Sequence, residues 1–191
     1  DLASVARPSS QPMYLIVPDS ETRSAQEILD YIKENPGKFT YANVGNGGNG
    51  HLAFASFLVG EGLDAVSVPY SGGTADCYTA MMGGHVMGHA VSEPDLVGRT
   101  DYNVLINLGT KSTTPGFENI PTLAELGYEG YCTDTFAGFY YMKGVDQAAV
   151  DAFDAAVKAT LEDPDFQKAA EEANFGYNYA NSADFPDMIH N

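Results

Sequence analysis

The stretch YANVGNGGNGHLAFASFLV, residues 41–59, places a glycine-rich turn between an apolar run and a helical one. Gly45, Gly47 and Gly50 spell G-x-G-x-x-G, the spacing of a dinucleotide-binding turn. The physics of such a turn is not peculiar to nucleotides. A strand ends, glycines let a ligand approach the backbone, and the N–H groups of the first helical turn point outward along a dipole that favours negative charge. Asn46 and Asn49 add amide donors and tolerate left-handed backbone. Gly45, Asn46, Gly47, Gly48, Asn49 and Gly50 therefore read as an anion-holding loop. His51 opens the following helix, either as a further donor or as a local packing partner.

Three details argue against a dinucleotide. The fingerprint expects an acid at the end of the next strand to take the ribose hydroxyl, but that strand ends Val68-Pro69-Tyr70-Ser71-Gly72. His51 stands where a phosphate loop would carry its lysine. A strand and a helix also precede the unit, whereas the fingerprint usually opens its domain. A small carboxylate is the favoured ligand, with a nucleotide-dependent oxidoreductase as the rival reading. A second turn, Tyr70-Ser71-Gly72-Gly73, repeats the strand-to-helix arrangement. Neighbouring strand ends of a parallel sheet share one edge, so two helix N-termini are expected to converge there. Ser92 ends another strand on that edge and reads as a hydroxyl contact, or else as an N-cap.

Outward from these loops, strands and helices alternate, which signals an α/β fold with βαβ units. Strands are expected at residues 12–18, 38–44, 64–68, 85–91, 102–108 and 133–142. Helices are expected at 25–34, 50–60, 74–82, 146–161 and 164–173, with short turns at 93–97 and 121–126 and a last helix from Phe185 to His190. Ser24 and Glu27 form a capping-box pattern, and Gly83-Gly84 supplies a helix stop. In the helix at 50–60, Leu52, Phe54, Ala55 and Leu58 are the candidate buried positions.

The chain has 191 residues and 44% hydrophobic composition, sufficient for a sizeable core. Nine Lys and Arg stand against 26 Asp and Glu, a formal charge of −17. Such a surface repels nucleic acid and anionic lipid, so no nucleic-acid partner is expected. No apolar run is long enough to span a bilayer, and no signal segment is legible. Cys77 and Cys132 allow one disulfide, but Cys77 sits within a helical stretch, and two free buried thiols are the favoured reading. His85 and His89 on one strand would lie about 13 Å apart, too far to share a metal. No metal site, cofactor or catalytic constellation is read from the sequence.

The stretches AQEILDYIKENPGKFTYANVGNGGNGHLA, VSVPYSGGTADCYTAMMGGHV, PGFENIPTLAELGYEGY and FAGFYYMKGVDQAAVDAF follow one another along the chain. Taken together they resemble the extracytoplasmic receptors of the tripartite tricarboxylate transporters. The resemblance runs from end to end and implies a periplasmic-binding-protein-like (type II) fold: a parallel or mixed sheet with flanking helices, in two lobes that close over a ligand. It implies a small organic carboxylate, di- or tricarboxylate, as ligand. It also implies membrane permease subunits as partners and a location outside the cytoplasm. By the family pattern, Tyr70, Ser71 and Gly72 join the glycine loop at the ligand, and Thr135 and Phe136 lie where a strand enters the cleft. Residues 1–18 correspond to the end of the first lobe and its crossover, 19–110 to the second lobe, 111–142 to its remainder and the crossover back, and 143–191 to helices returning to the first lobe. The first lobe is expected to be largely missing, which leaves an apolar face and favours self-association. Ser71 stands where the family commonly has Lys, and Met87 where Asp is usual.

Overall fold

The computed structural model describes residues 2–112, 114–173 and 175–185. The elements in order are β1 (Leu2–Pro18), α1 (Ala25–Glu34), β2 (Thr40–Asn43), α2 (Asn49–Gly60), β3 (Val66–Pro69), α3 (Thr74–Met82), β4 (Gly88–Ser92), β5 (Tyr102–Asn107), β6 (Asp134–Met142), α4 (Gln147–Glu162) and α5 (Pro164–Glu172). A 3-10 turn, Glu93–Asp95, follows β4. The chain divides into a larger unit, Pro12–Thr135, and a smaller one made of Asp1–Gln11 and Phe136–Asn191.

In the larger unit the strands lie in the order β3-β2-β4-β1-β5. The βαβ crossovers make β3, β2 and β4 parallel, while β1 runs antiparallel to both β4 and β5. The sheet is therefore mixed. β1 alternates cleanly: Met13, Leu15 and Val17 face one core with α1 and α2, and Tyr14 and Ile16 face the other with α3. Helices cover both faces, so the run MYLIV is apolar throughout rather than every second residue.

Local signals account for most element ends. The Ser24 side chain accepts from the Glu27 N–H while Glu27 Oε2 accepts from the Ser24 N–H at 2.7 Å, which closes the capping box of α1. Ile28, Leu29 and Ile32 form the buried stripe of that helix. α2 is apolar on several sides, and the sheet sets its rotation. Gly50, Ala53, Phe54, Phe57 and Leu58 are buried, an i, i+3, i+4, i+7, i+8 stripe. The expected positions Leu52 and Ala55 lie off this stripe, and Leu52 is 52% exposed. Phe54 and Phe57 stack at 6.1 Å and each contributes about 1.5–3 kcal/mol of burial.

Several expected boundaries shift. β1 begins at Leu2 rather than at residue 12. His85 lies in an exposed turn before β4, so the two histidines do not share a strand. Residues 121–126 form hydrogen-bonded turns; the Leu126 N–H donates to both Thr122 and Leu123 carbonyls. The helix expected from Phe185 to His190 lies, beyond Phe185, outside the described residues. Both cysteines are free, but only Cys77 is buried; Cys132 is exposed because the segment before β6 runs over the surface. Burial pushes the Cys77 thiol up to about 11.

In the smaller unit β6 pairs with β1, and Arg7 bridges Ala180 through reciprocal backbone hydrogen bonds of 2.9 Å. α4 is capped by Asp146, and Asp163 caps α5 after the Asp-Pro break. Phe139 and Phe153 meet at 5.2 Å and Tyr140 and Phe185 at 5.5 Å. Pro8, Phe139, Phe153, Leu161, Phe166 and Phe175 are among the residues lining an apolar groove of about 580 Å³.

Candidate ligand site

The glycine loop leaves β2 at Asn43, whose buried side chain fixes its first bend. Asn43 Oδ1 accepts from the Gly45 N–H at 2.8 Å, and Asn43 Nδ2 donates to Ser67 Oγ at 2.6 Å. Gly45 and Gly47 have φ of 139° and 82°, which side-chain-bearing residues rarely adopt. Gly50 is needed for a different reason. Its Cα presses against β4, and a Cβ built there would overlap the Ala90 carbonyl oxygen and stand 3.2 Å from its carbon.

The start of α2 has no side-chain cap and no acid in its first turn. Its first N–H groups and the positive end of its dipole are open to a ligand. α3 differs. It too lacks a side-chain cap, but Asp76 lies in its first turn and packs against Gly72. That carboxylate already answers the helix dipole of α3, whereas no acidic residue does so in the first turn of α2.

A pocket of about 140 Å³ lies beside this loop, with Asn49, Gly50, Thr74, His89, Ser92 and Thr135 among its lining residues. Asn49 Nδ2 donates to Thr135 Oγ1 at 2.6 Å, so the Thr135 hydroxyl keeps its own proton to offer. Ser92 Oγ donates to Asp95 Oδ2 at 2.9 Å and keeps lone pairs rather than a donor. A second pocket, about 290 Å³, continues under α3 and shares Thr74, His89, Val91 and Asp95 with the first. Arg99 lines it, stacked 4.2 Å above the Tyr78 ring.

Of the residues singled out from the sequence, Asn49, Gly50, Ser92 and Thr135 line the 140 Å³ pocket together. Gly45, Asn46, Gly47 and Gly48 shape the loop without lining it. The His51 ring is turned back on the loop, where Nδ1 accepts from the Gly47 N–H at 3.3 Å. Tyr70 is tied by its N–H to the Asn43 carbonyl at 2.9 Å, and Ser71 and Gly72 lie on the exposed turn. Phe136 belongs to the smaller unit, where its ring meets Phe185 at 5.7 Å.

Sequence reasoning missed Thr74, Asp95 and His89 as pocket residues. His89 is fully buried on β4. Its Nδ1 lies 3.0 Å from the Ala42 carbonyl oxygen, and Nε2 has no hydrogen-bonding partner among the described residues. A carbonyl only accepts, so Nδ1 carries the proton and Nε2 presents a lone pair. Burial holds the imidazole below its usual pKa, against the opposing pull of the Ala42 carbonyl and the charge of Asp95. In the sequence His89 stands out only as one of two histidines placed on a strand and too far apart to share a metal. Among the described residues, no group of His, Cys, Asp or Glu is arranged to hold a metal ion. No helix among them is long and apolar enough to cross a membrane.

A mixed sheet under helices carries, at the edge where β2 and β4 end, an uncapped helix N-terminus beside a small polar pocket. Over residues 1–191 the sequence matches the family described as "Tripartite tricarboxylate transporter family receptor", and the chain belongs to that family. It is 30% identical over 174 residues to the "UPF0065 protein in gbd 5'region" of Cupriavidus necator, covering 90% of this chain and 52% of that protein. The chain thus spans about half the length of the curated relatives it matches. A TctC solute-binding protein from Polaromonas superposes with a TM-score of 0.84 at 25% identity, over 100% of this chain and 66% of that one. The R. palustris protein Rpa4515, solved with adipate, has a TM-score of 0.78 at 22% identity, over 100% and 64%. MatC from Rhodopseudomonas palustris, solved with malate, has 0.68 at 19%, over 92% and 60%. The family is described as one of receptors, and the Polaromonas neighbour as a solute-binding protein.

Proposed function

We propose that this chain is the ligand-binding part of an extracytoplasmic receptor that captures a small organic carboxylate and delivers it to the permease subunits of a tripartite transporter. The observation that carries this reading is the start of α2: uncapped, free of acid, preceded by a positive-φ glycine turn, and beside the Thr135 hydroxyl at a pocket. Backbone N–H groups and neutral side chains suit reversible capture, since release must follow at the membrane. The adipate and malate seen in two structural neighbours support a carboxylate of that size. On this reading the larger unit is the second lobe, and the smaller one is the part of the first lobe that this chain carries. The apolar groove of the smaller unit supports self-association of the chain by itself.

A thermal-shift panel of di- and tricarboxylates against NAD and ATP tests the proposal. Stabilisation by at least one carboxylate and by neither nucleotide is expected. Stabilisation by a dinucleotide and by no carboxylate would return the glycine loop to its dinucleotide reading.

A further inference from the structure

Three acceptor groups line the pockets beside the glycine loop, and a carboxylate satisfies none of them. His89 presents the bare Nε2 lone pair. Asp95 presents a carboxylate that accepts from the Ser92 hydroxyl, and Ser92 keeps its own lone pairs. His89 and Asp95 line both pockets, and Ser92 the outer one. His89 shares a strand face with Val91, which packs in the core under α3, so its ring lies on the α3 side of the sheet. Its Nδ1 edge is committed to β2, and the residue lines the pocket between α3 and the 3-10 turn. A buried ring nitrogen without a partner is a group that folded proteins rarely keep without a use.

We propose that the ligand of this receptor carries a hydrogen-bond donor, a hydroxyl or an ammonium, beside its carboxylate, and that His89 Nε2 receives it in the pocket under α3. The carboxylate sits on the N–H groups of α2 and the Thr135 hydroxyl, and the donor end enters the pocket under α3, where His89 and Asp95 supply the acceptors. A plain dicarboxylate leaves those acceptors unmatched, whereas its second charge, which the donor-bearing acids share, meets both Asp95 and Arg99 in that pocket. His89 is then the specificity-determining residue. This rests on the carboxylate-receptor reading above and deepens it.

The test is a titration of the 191-residue chain with matched acids: succinate, malate and aspartate, then glutarate, 2-hydroxyglutarate and glutamate. Within a set, the donor-bearing acid is expected to bind about tenfold more tightly or better, the ratio that one good hydrogen bond supplies. In a ¹⁵N-histidine spectrum the Nε2 resonance of His89 shifts with that acid and not with its plain partner. His89→Leu erases the discrimination, and His89→Gln, which keeps an acceptor, retains part of it. Circular dichroism shows that each variant folds. Malate binding above aspartate identifies a neutral donor, and the reverse order identifies an ammonium shared by His89 and Asp95; with the His89 resonance shift, either order supports the proposal. Equal affinities within each set, or discrimination that survives in folded His89→Leu, overturn it and leave the carboxylate receptor standing. Binding of no acid in either set overturns the proposal, and the wider carboxylate panel then decides the receptor reading separately.

Discussion

Adding one methyl group at Gly50 tests how the ligand loop is held on the sheet. In Gly50→Ala the new Cβ would overlap the Ala90 carbonyl oxygen, and that obstacle is strand backbone which cannot rotate aside. Either α2 lifts off β4 or β4 bends. Overpacking of this kind costs about 1–3 kcal/mol. Alanine's better helix propensity offsets at most about 1 kcal/mol, and less in a first turn. The net expectation is a loss of about 1–2 kcal/mol, or roughly 2–8 °C in melting midpoint for a unit of this size. Leu52→Ala on the exposed side of the same helix is the comparison, and it is expected to stay within about 0.5 kcal/mol. Thermal melts followed by circular dichroism measure both variants. A Gly50→Ala midpoint equal to or above that of the parent would refute the close approach of α2 to β4. A larger loss in Leu52→Ala would refute the rotation assigned to the helix.

Other substitutions probe other contacts. Gly47→Val meets no neighbouring atom but forces a β-branched residue to φ 82°, so the chain is expected to fold while the loop is re-aimed and carboxylate affinity falls; calorimetry showing unchanged affinity would make the loop structural only. Cys132 is expected to react with a thiol reagent in the native chain and Cys77 only on unfolding, because burial raises the Cys77 thiol to about 11. Two thiols labelled at one rate would contradict the packing under α3. Glu21 is held down to about 2, chiefly by hydrogen bonds from the Arg23 side chain, against an ordinary value of 4.5. Its folded pKa lies below its unfolded one, so the stabilisation is complete above pH 4.5 and is lost as pH falls towards 2. Arg23→Ala is therefore expected to cost about 0.5–1 kcal/mol near neutrality, the range of a partly exposed pair, and nothing at the acid end. A penalty independent of pH would assign the loss to the stacking of Arg23 on Tyr31 instead.

Short-range chemistry is legible in the order of the residues. The Ser24–Glu27 box starts α1, Gly83 closes α3, and the Asp-Pro step separates α4 from α5, because each signal acts within one helical turn. The glycine turn is legible for the same reason: strand, turn and helix start are contiguous in the chain. Contacts between elements are not legible in this way. The rotation of α2 is set by Gly50 meeting Ala90, forty residues away in the chain, and a helix apolar on several sides does not say which side faces the sheet. β1 lies antiparallel between β4 and β5, a placement that alternating strands and helices do not specify. Asn49 and Thr135 meet across 86 positions. The role of His89 depends on which of its nitrogens Ala42 occupies, and only tertiary packing, by burying the ring and satisfying one side of it, leaves the other open to a ligand.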